Sequence, residues 1–217
     1  MTVAWEPWIA TSPRERAILA VAWYSAGGIG GLLGGSIGGV AGDPRVGAVA
    51  SAVVVALLQA SLLGPGPRAS LCWFGASAAG GALGMLLAVI GGVALQEAVQ
   101  TAPDQASQGL AAWLVLSGLG GTILAGAQAP LIHARRAAIA WIVLGSIAGA
   151  CLWPVGLALG SHYGPGLAEG AVRLGLIPTG TDARAPITQA SCLAAAWLLH
   201  ALPFGFLTAR CQMPDDI

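Results

Sequence analysis

Six long apolar stretches without Asp, Glu, Lys or Arg fill most of the chain, separated by short polar or Pro/Gly-rich connections. They predict membrane-spanning helices at 17–42, 46–64, 69–95, 109–132, 137–160 and 187–209. Each approaches or exceeds the roughly 20 residues needed to cross a hydrocarbon core. Within the first stretch, Gly27, Gly31, Gly35 and Gly39 recur at every fourth position, as do Gly30, Gly34, Gly38 and Gly42. In water each interior glycine costs a helix about 1 kcal/mol relative to Ala. In a bilayer the backbone must satisfy itself, so helix is nearly obligatory, and small residues four apart let a second helix approach closely. The third stretch repeats the spacing with Ala76, Gly80, Gly84 and Ala88, and the fourth with Ser117, Gly121, Ala125 and Ala129. The expected fold is therefore an all-α polytopic membrane helix bundle, with Gly27, Gly31, Gly35, Gly39, Gly80, Gly84, Gly121 and Gly149 as helix-packing positions.

An internal repeat organises these spans. Gln59-Ala60-Ser61-Leu62-Leu63 in the second matches Gln128-Ala129-Pro130-Leu131-Ile132 in the fourth. Each is followed by an Arg-bearing turn and then a Trp, Trp73 or Trp141; Ser77 and Ser146, like Gly80 and Gly149, stand at equal offsets from the two glutamines. A weaker third copy begins at Trp141 and includes Gln189, which lies early in its span. The reading is three parallel helical hairpins, 17–68, 69–136 and 137–210, in one membrane domain, with an interfacial N-terminal segment (1–16) and a short tail (211–217). Repeats that cannot bury their faces alone stack on one another.

These motifs resemble a loose group of uncharacterised Gly/Trp-rich membrane proteins of cyanobacterial type, in which a Gln–Leu step and a basic turn precede a Trp–Ser–Gly helix. The residues carrying the resemblance are Gln59, Leu63, Arg68, Trp73, Ser77 and Gly80, with Gln128, Ile132, Arg135, Trp141, Ser146 and Gly149. The glycine that precedes the Gln in that group is replaced here by Ala56 and Ala125. The resemblance implies a membrane location and no assigned activity.

Composition agrees with the pattern: 56% of the 217 residues are hydrophobic and 8% are charged, against about 25% charged in soluble domains. Net charge is zero, which gives no reason to expect nucleic acid as a partner. Alternate connections place Arg14, Arg16, Arg68, Arg135, Arg136 and Arg210 on one side, against Arg45, Arg173 and Arg184 on the other. The positive-inside rule then puts both termini in the cytoplasm. The first apolar run exceeds a signal peptide's core, so it is expected to stay as a span, with Trp5 and Trp8 at the interface. The connection 161–186 is expected to be a long loop, with a short interfacial helix near 166–177. Pro154 and Pro203 fall inside spans, where proline bends a helix.

Chemistry-bearing residues are few. No carboxylate or Arg lies deep in a span, which argues against ion-coupled carriage, and Ser77, Ser117 and Ser146 lack a base at a recognisable spacing. Cys72, Cys151, Cys192 and Cys211 form no C-x-x-C pair. Of the histidines, His133 and His162 sit in connections and His200 is mid-span. Gln59, Gln128 and Gln189 are in-membrane polar groups that need partners. His200, Gln59 and Gln128 are the candidate cofactor ligands, for a haem or a pigment; no metal site and no catalytic residue is expected. The expected function is that of a non-enzymatic accessory or scaffold subunit of a larger membrane complex in a bacterial plasma or thylakoid membrane. Its partners would be lipids and other membrane subunits. The resemblance implies a photosynthetic or respiratory complex as the natural host, with chlorophyll or carotenoid as candidate ligands. The alternative is a small oligomeric transporter or channel.

Overall fold

The computed structural model describes residues 13–62, 67–132, 135–178 and 183–210. Trp5, Trp8, His133, Asp182 and Cys211 lie outside them. Six long helices make up the described chain: α1 (Pro13–Ala41), α2 (Pro44–Leu62), α3 (Pro67–Thr101), α4 (Ala106–Gln128), α5 (Arg135–Arg173) and α6 (Arg184–Arg210). Single 3-10 turns, Pro103–Gln105 and Ala129–Leu131, flank α4. All six helices are long and apolar enough to cross a membrane, so the chain is a multi-pass membrane bundle.

The helices form a ring in chain order, each packing on its neighbours and α6 closing back on α1. α2 also touches α6, and α3 touches α5, across the interior. α1 is thus wedged between α2 and α6, and α4 between α3 and α5.

The wedging is done by missing side chains. One glycine ladder of α1 faces α6: Gly27 meets Trp197, Gly31 meets Ala194, Gly35 meets Ala190 and Gly39 meets Pro186. The other faces α2: Gly30 meets Val55, Gly34 meets Ser51 and Gly38 meets Gly47. A methyl group on Gly35 would stand 2.5 Å from Ala190 Cα, so even alanine would force the helices apart. Gly80 and Gly84 lie on α4 at Leu124 and Gly120, and Gly121 lies on α5 at Gly145 and Gly149. The α5–α6 interface uses a ladder not anticipated from sequence, with Gly156, Gly160 and Gly164 against Ala196, Cys192 and Thr188 of α6.

That ladder explains a departure from the expected loop. The connection after residue 160 is not a loop with a separate interfacial helix: α5 runs on to Arg173, through Pro165. Gly160 and Gly164 keep it pressed against α6, and packed helices tolerate an internal proline when neighbours support the freed backbone. At 39 residues, α5 is about 58 Å long, well beyond the ~30 Å hydrocarbon core. α3 likewise continues past the expected limit, to Thr101. α3 and α5, with the start of α4 level with the end of α3, therefore reach past α2 and α6 at the end of the bundle opposite the basic turns. Cys72, Cys151 and Cys192 are free thiols.

Alanine normally stabilises a helix relative to glycine by about 1 kcal/mol. Here Gly34→Ala and Gly35→Ala should lower stability by about 1–3 kcal/mol through overpacking. Gly75→Ala, whose added methyl meets open space, should be neutral or slightly stabilising. Thermal unfolding of the three variants in one detergent is the check, and equal behaviour would contradict the packing.

Candidate functional site

Near the basic end the first helix of each hairpin sends a tryptophan to the axis. Trp23, Trp73 and Trp141 form a triangle of edge-to-face contacts with ring centroids 5.7, 5.9 and 6.5 Å apart. Phe204 of α6 packs on Trp141 at 4.5 Å. The rings are buried and close the bundle on that side. Edge-to-face geometry sets the positive edge of one ring against the negative face of the next.

Behind this seal lies a small chamber of about 20 Å³. The second helix of each hairpin contributes one polar side chain to its wall: Gln59 from α2, Gln128 from α4 and His200 from α6. All three are buried, at 6%, 4% and 3% exposure. The sequence thus named three residues that the fold does bring together. His200 takes the place in the third hairpin that the repeat pattern had offered to Gln189.

Two of the three are handled differently by their surroundings. The Trp141 indole N–H donates to Gln128 Oε1 at 2.8 Å, and Gln128 Nε2 donates to Ser77 Oγ at 2.8 Å. This chain ties α5 to α4 and α4 to α3. His200 instead stacks on Trp153, with centroids 4.5 Å apart and planes inclined by 23°, and lies near Phe204 at 5.1 Å. Neither ring nitrogen makes a hydrogen bond; the Ala148 carbonyl comes near without bonding geometry. A chamber of this size holds about one water molecule. A tetrapyrrole does not fit it, so the haem or chlorophyll role anticipated for His200, Gln59 and Gln128 has no room in this arrangement. No step through such a group is derived.

An apolar plug separates this chamber from the other end of the bundle. Met85, Trp153 and Leu193 are essentially inaccessible, with Val55, Val89 and Trp197 packed among them. Trp197 is held by donating to Ser51 Oγ at 3.0 Å, across from α6 to α2.

Beyond the plug the projecting ends of α3 and α5 open a second chamber of about 960 Å³. Every helix except α1 lines it. Its floor is apolar, with Val89, Leu157 and Leu193 shared with the plug or packed on it. Trp113 forms part of the wall, fixed by donation from its indole to the Ala88 carbonyl at 2.8 Å. Gln96, Gln100, Ser161, Thr188 and Gln189 add neutral polar groups, and Arg184 adds the one charge among the described lining residues.

No family model, curated protein or solved structure matches this chain.

The large chamber was invisible in the sequence because it depends on how far α3 and α5 run past their neighbours. The Trp seal left a readable trace, a Trp one to three turns inside the basic end of α1, α3 and α5. The internal repeat includes the latter two but not Trp23. Among the described residues no cluster of His, Cys, Asp or Glu is arranged to hold a metal.

Gln128→Leu should cost about 1–3 kcal/mol, because it strands both the Trp141 indole N–H and Ser77. Ser77→Ala in that background should add little more. A double-mutant cycle by thermal unfolding would read this as strong coupling; additive losses would mean the chain of bonds does not form.

Proposed function

We propose that this protein is a small transporter that moves a solute along the bundle axis. The observation that carries the reading is the axial series itself: a large chamber open at one end, an apolar plug, a small buried chamber whose largely apolar wall holds Gln59, Ser77, Gln128 and His200, and an aromatic seal. Alternating access needs these parts, namely a vestibule, a central polar step and gates on both sides. The plug and seal would open in turn rather than together. The glycine interfaces would let helices slide as packed units, since they are smooth and carry few interlocking side chains.

The positive-inside bias favours a cytoplasmic position for the basic turns and both termini. The large chamber would then face the extracytoplasmic side of a bacterial inner membrane. Neutral amides and an imidazole at the centre, with no carboxylate, fit a solute that crosses without a fixed counter-charge in the pathway.

The accessory-subunit reading stands second. It draws on the exposed outer surface, where large apolar side chains such as Val40 and Leu71 stand clear of the bundle at 81% and 68% exposure. Lipid would cover that surface as readily as a neighbouring subunit would. The resemblance to cyanobacterial-type membrane proteins supports a photosynthetic host only by analogy.

The test is uptake by proteoliposomes of a panel of small neutral and monoanionic solutes. Saturable uptake above that of protein-free vesicles is expected for at least one member. It should be lost when Gln96→Trp narrows the open chamber. No uptake of any member by folded, monodisperse protein would return the assignment to an accessory role.

A further inference from the structure

We infer that the open chamber is a binding site for an amphiphilic monoanion, a carboxylate on a single apolar body, with Arg184 as its head-group contact. Charge complementarity carries the inference. Among the described residues Arg184 is the only charged side chain in the lining, and it makes no ion pair with any of them. Its neighbours at this end of the bundle are already compensated. Arg45 clasps Asp43 with its guanidinium at 3.0 Å, and the bonds from its side chain and backbone N–H hold that carboxyl below the usual range. Arg173 lies 3.5 Å from Glu169. Glu97 and Asp104 are absent from the chamber wall.

The site is also graded along its depth. Arg184 opens α6 at the rim, where the positive end of the helix dipole adds to its charge. Gln96 and Gln100 stand one turn apart near the end of α3 and offer amide donors to the second carboxylate oxygen. Below them Ser161, Thr188 and Gln189 stand among apolar residues, and the floor at Val89, Leu157 and Leu193 is wholly apolar. A molecule with one anionic head and one apolar tail matches this gradient end to end. A cation meets Arg184 with like charge. A dianion leaves one charge uncompensated in an otherwise neutral wall. About 960 Å³ is at the upper end of small-molecule sites, which suits one apolar body and not a two-chain lipid.

This inference borrows from the transport reading only the direction in which the ligand would move on; binding itself does not require transport. The experiment is calorimetric titration of octanoate, octanol and octylamine into the full-length protein in zwitterionic nanodiscs. Octanoate should bind about tenfold tighter than the other two, the margin of one charge-assisted hydrogen bond. Arg184→Gln should remove that margin with an unchanged melting profile, and Arg173→Gln should leave it intact. Equal binding of the three probes, or a margin that survives Arg184→Gln, would overturn the inference. So would displacement of octanoate by phosphatidylglycerol built into the disc, which would make the site one for lipid. Octanoate binding without uptake would sink the transport reading and leave this inference standing; uptake of other solutes without the octanoate margin would do the reverse.

Discussion

Close backbone-to-backbone approach at glycine is the constraint on which the rest of this structure depends. Between helices in a bilayer there is little hydrophobic drive to associate, because lipid tails are as apolar as leucine. Attraction must come from van der Waals contact, and contact is greatest where two backbones meet without side chains between them. α1 shows the consequence most clearly. Its two ladders are offset by three residues, so they lie on adjacent faces, one for α6 and one for α2. A single helix thereby joins the end of the chain to its beginning and closes the ring. The same device recurs between α3 and α4, α4 and α5, and α5 and α6.

Close packing of the perimeter leaves the bulky side chains for the axis. Six of the eight tryptophans are described and buried or nearly so, and five of them, Trp23, Trp73, Trp141, Trp153 and Trp197, are 4% exposed or less. They cannot fit where glycines meet, so they fill the interior, where their indole N–H groups reach Gln128 and Ser51. The Trp153 indole N–H, Ser117 Oγ and Gln189 Nε2 lack such a hydrogen bond, and so do both ring nitrogens of His200. A buried polar group without a partner costs on the order of 1–3 kcal/mol, and His200 sits on a chamber with room for a water molecule. That combination, an unsatisfied imidazole beside a small buried space, marks the centre of the proposed pathway.

The sequence made the spans legible because charge-free stretches of this length have few other uses. It made Gln59, Gln128 and His200 conspicuous for the same reason: polar side chains are rare there. It could not say that the three converge, because convergence depends on helix rotation, and nearly every face is apolar. The glycine ladders identified packing faces without naming their partners. Helix ends were read least well. The stretches after Leu95 and after Gly160 were expected as connections, yet α3 and α5 continue because contacts with α4 and α6 hold them. The open chamber exists only because of those continuations, so it had no local signal at all.

The central claim is that water reaches one end of the axis and is excluded from the middle. Single cysteines at Gln96, Val99, Ala56 and Ser77 in a cysteine-free background, exposed to a membrane-impermeant maleimide in sealed vesicles, test it most directly. The account predicts rapid labelling at Gln96 and Val99 from the side opposite the basic turns, and protection at Ala56 and Ser77. Labelling of Ser77 as fast as Gln96, or protection of all four, would contradict it.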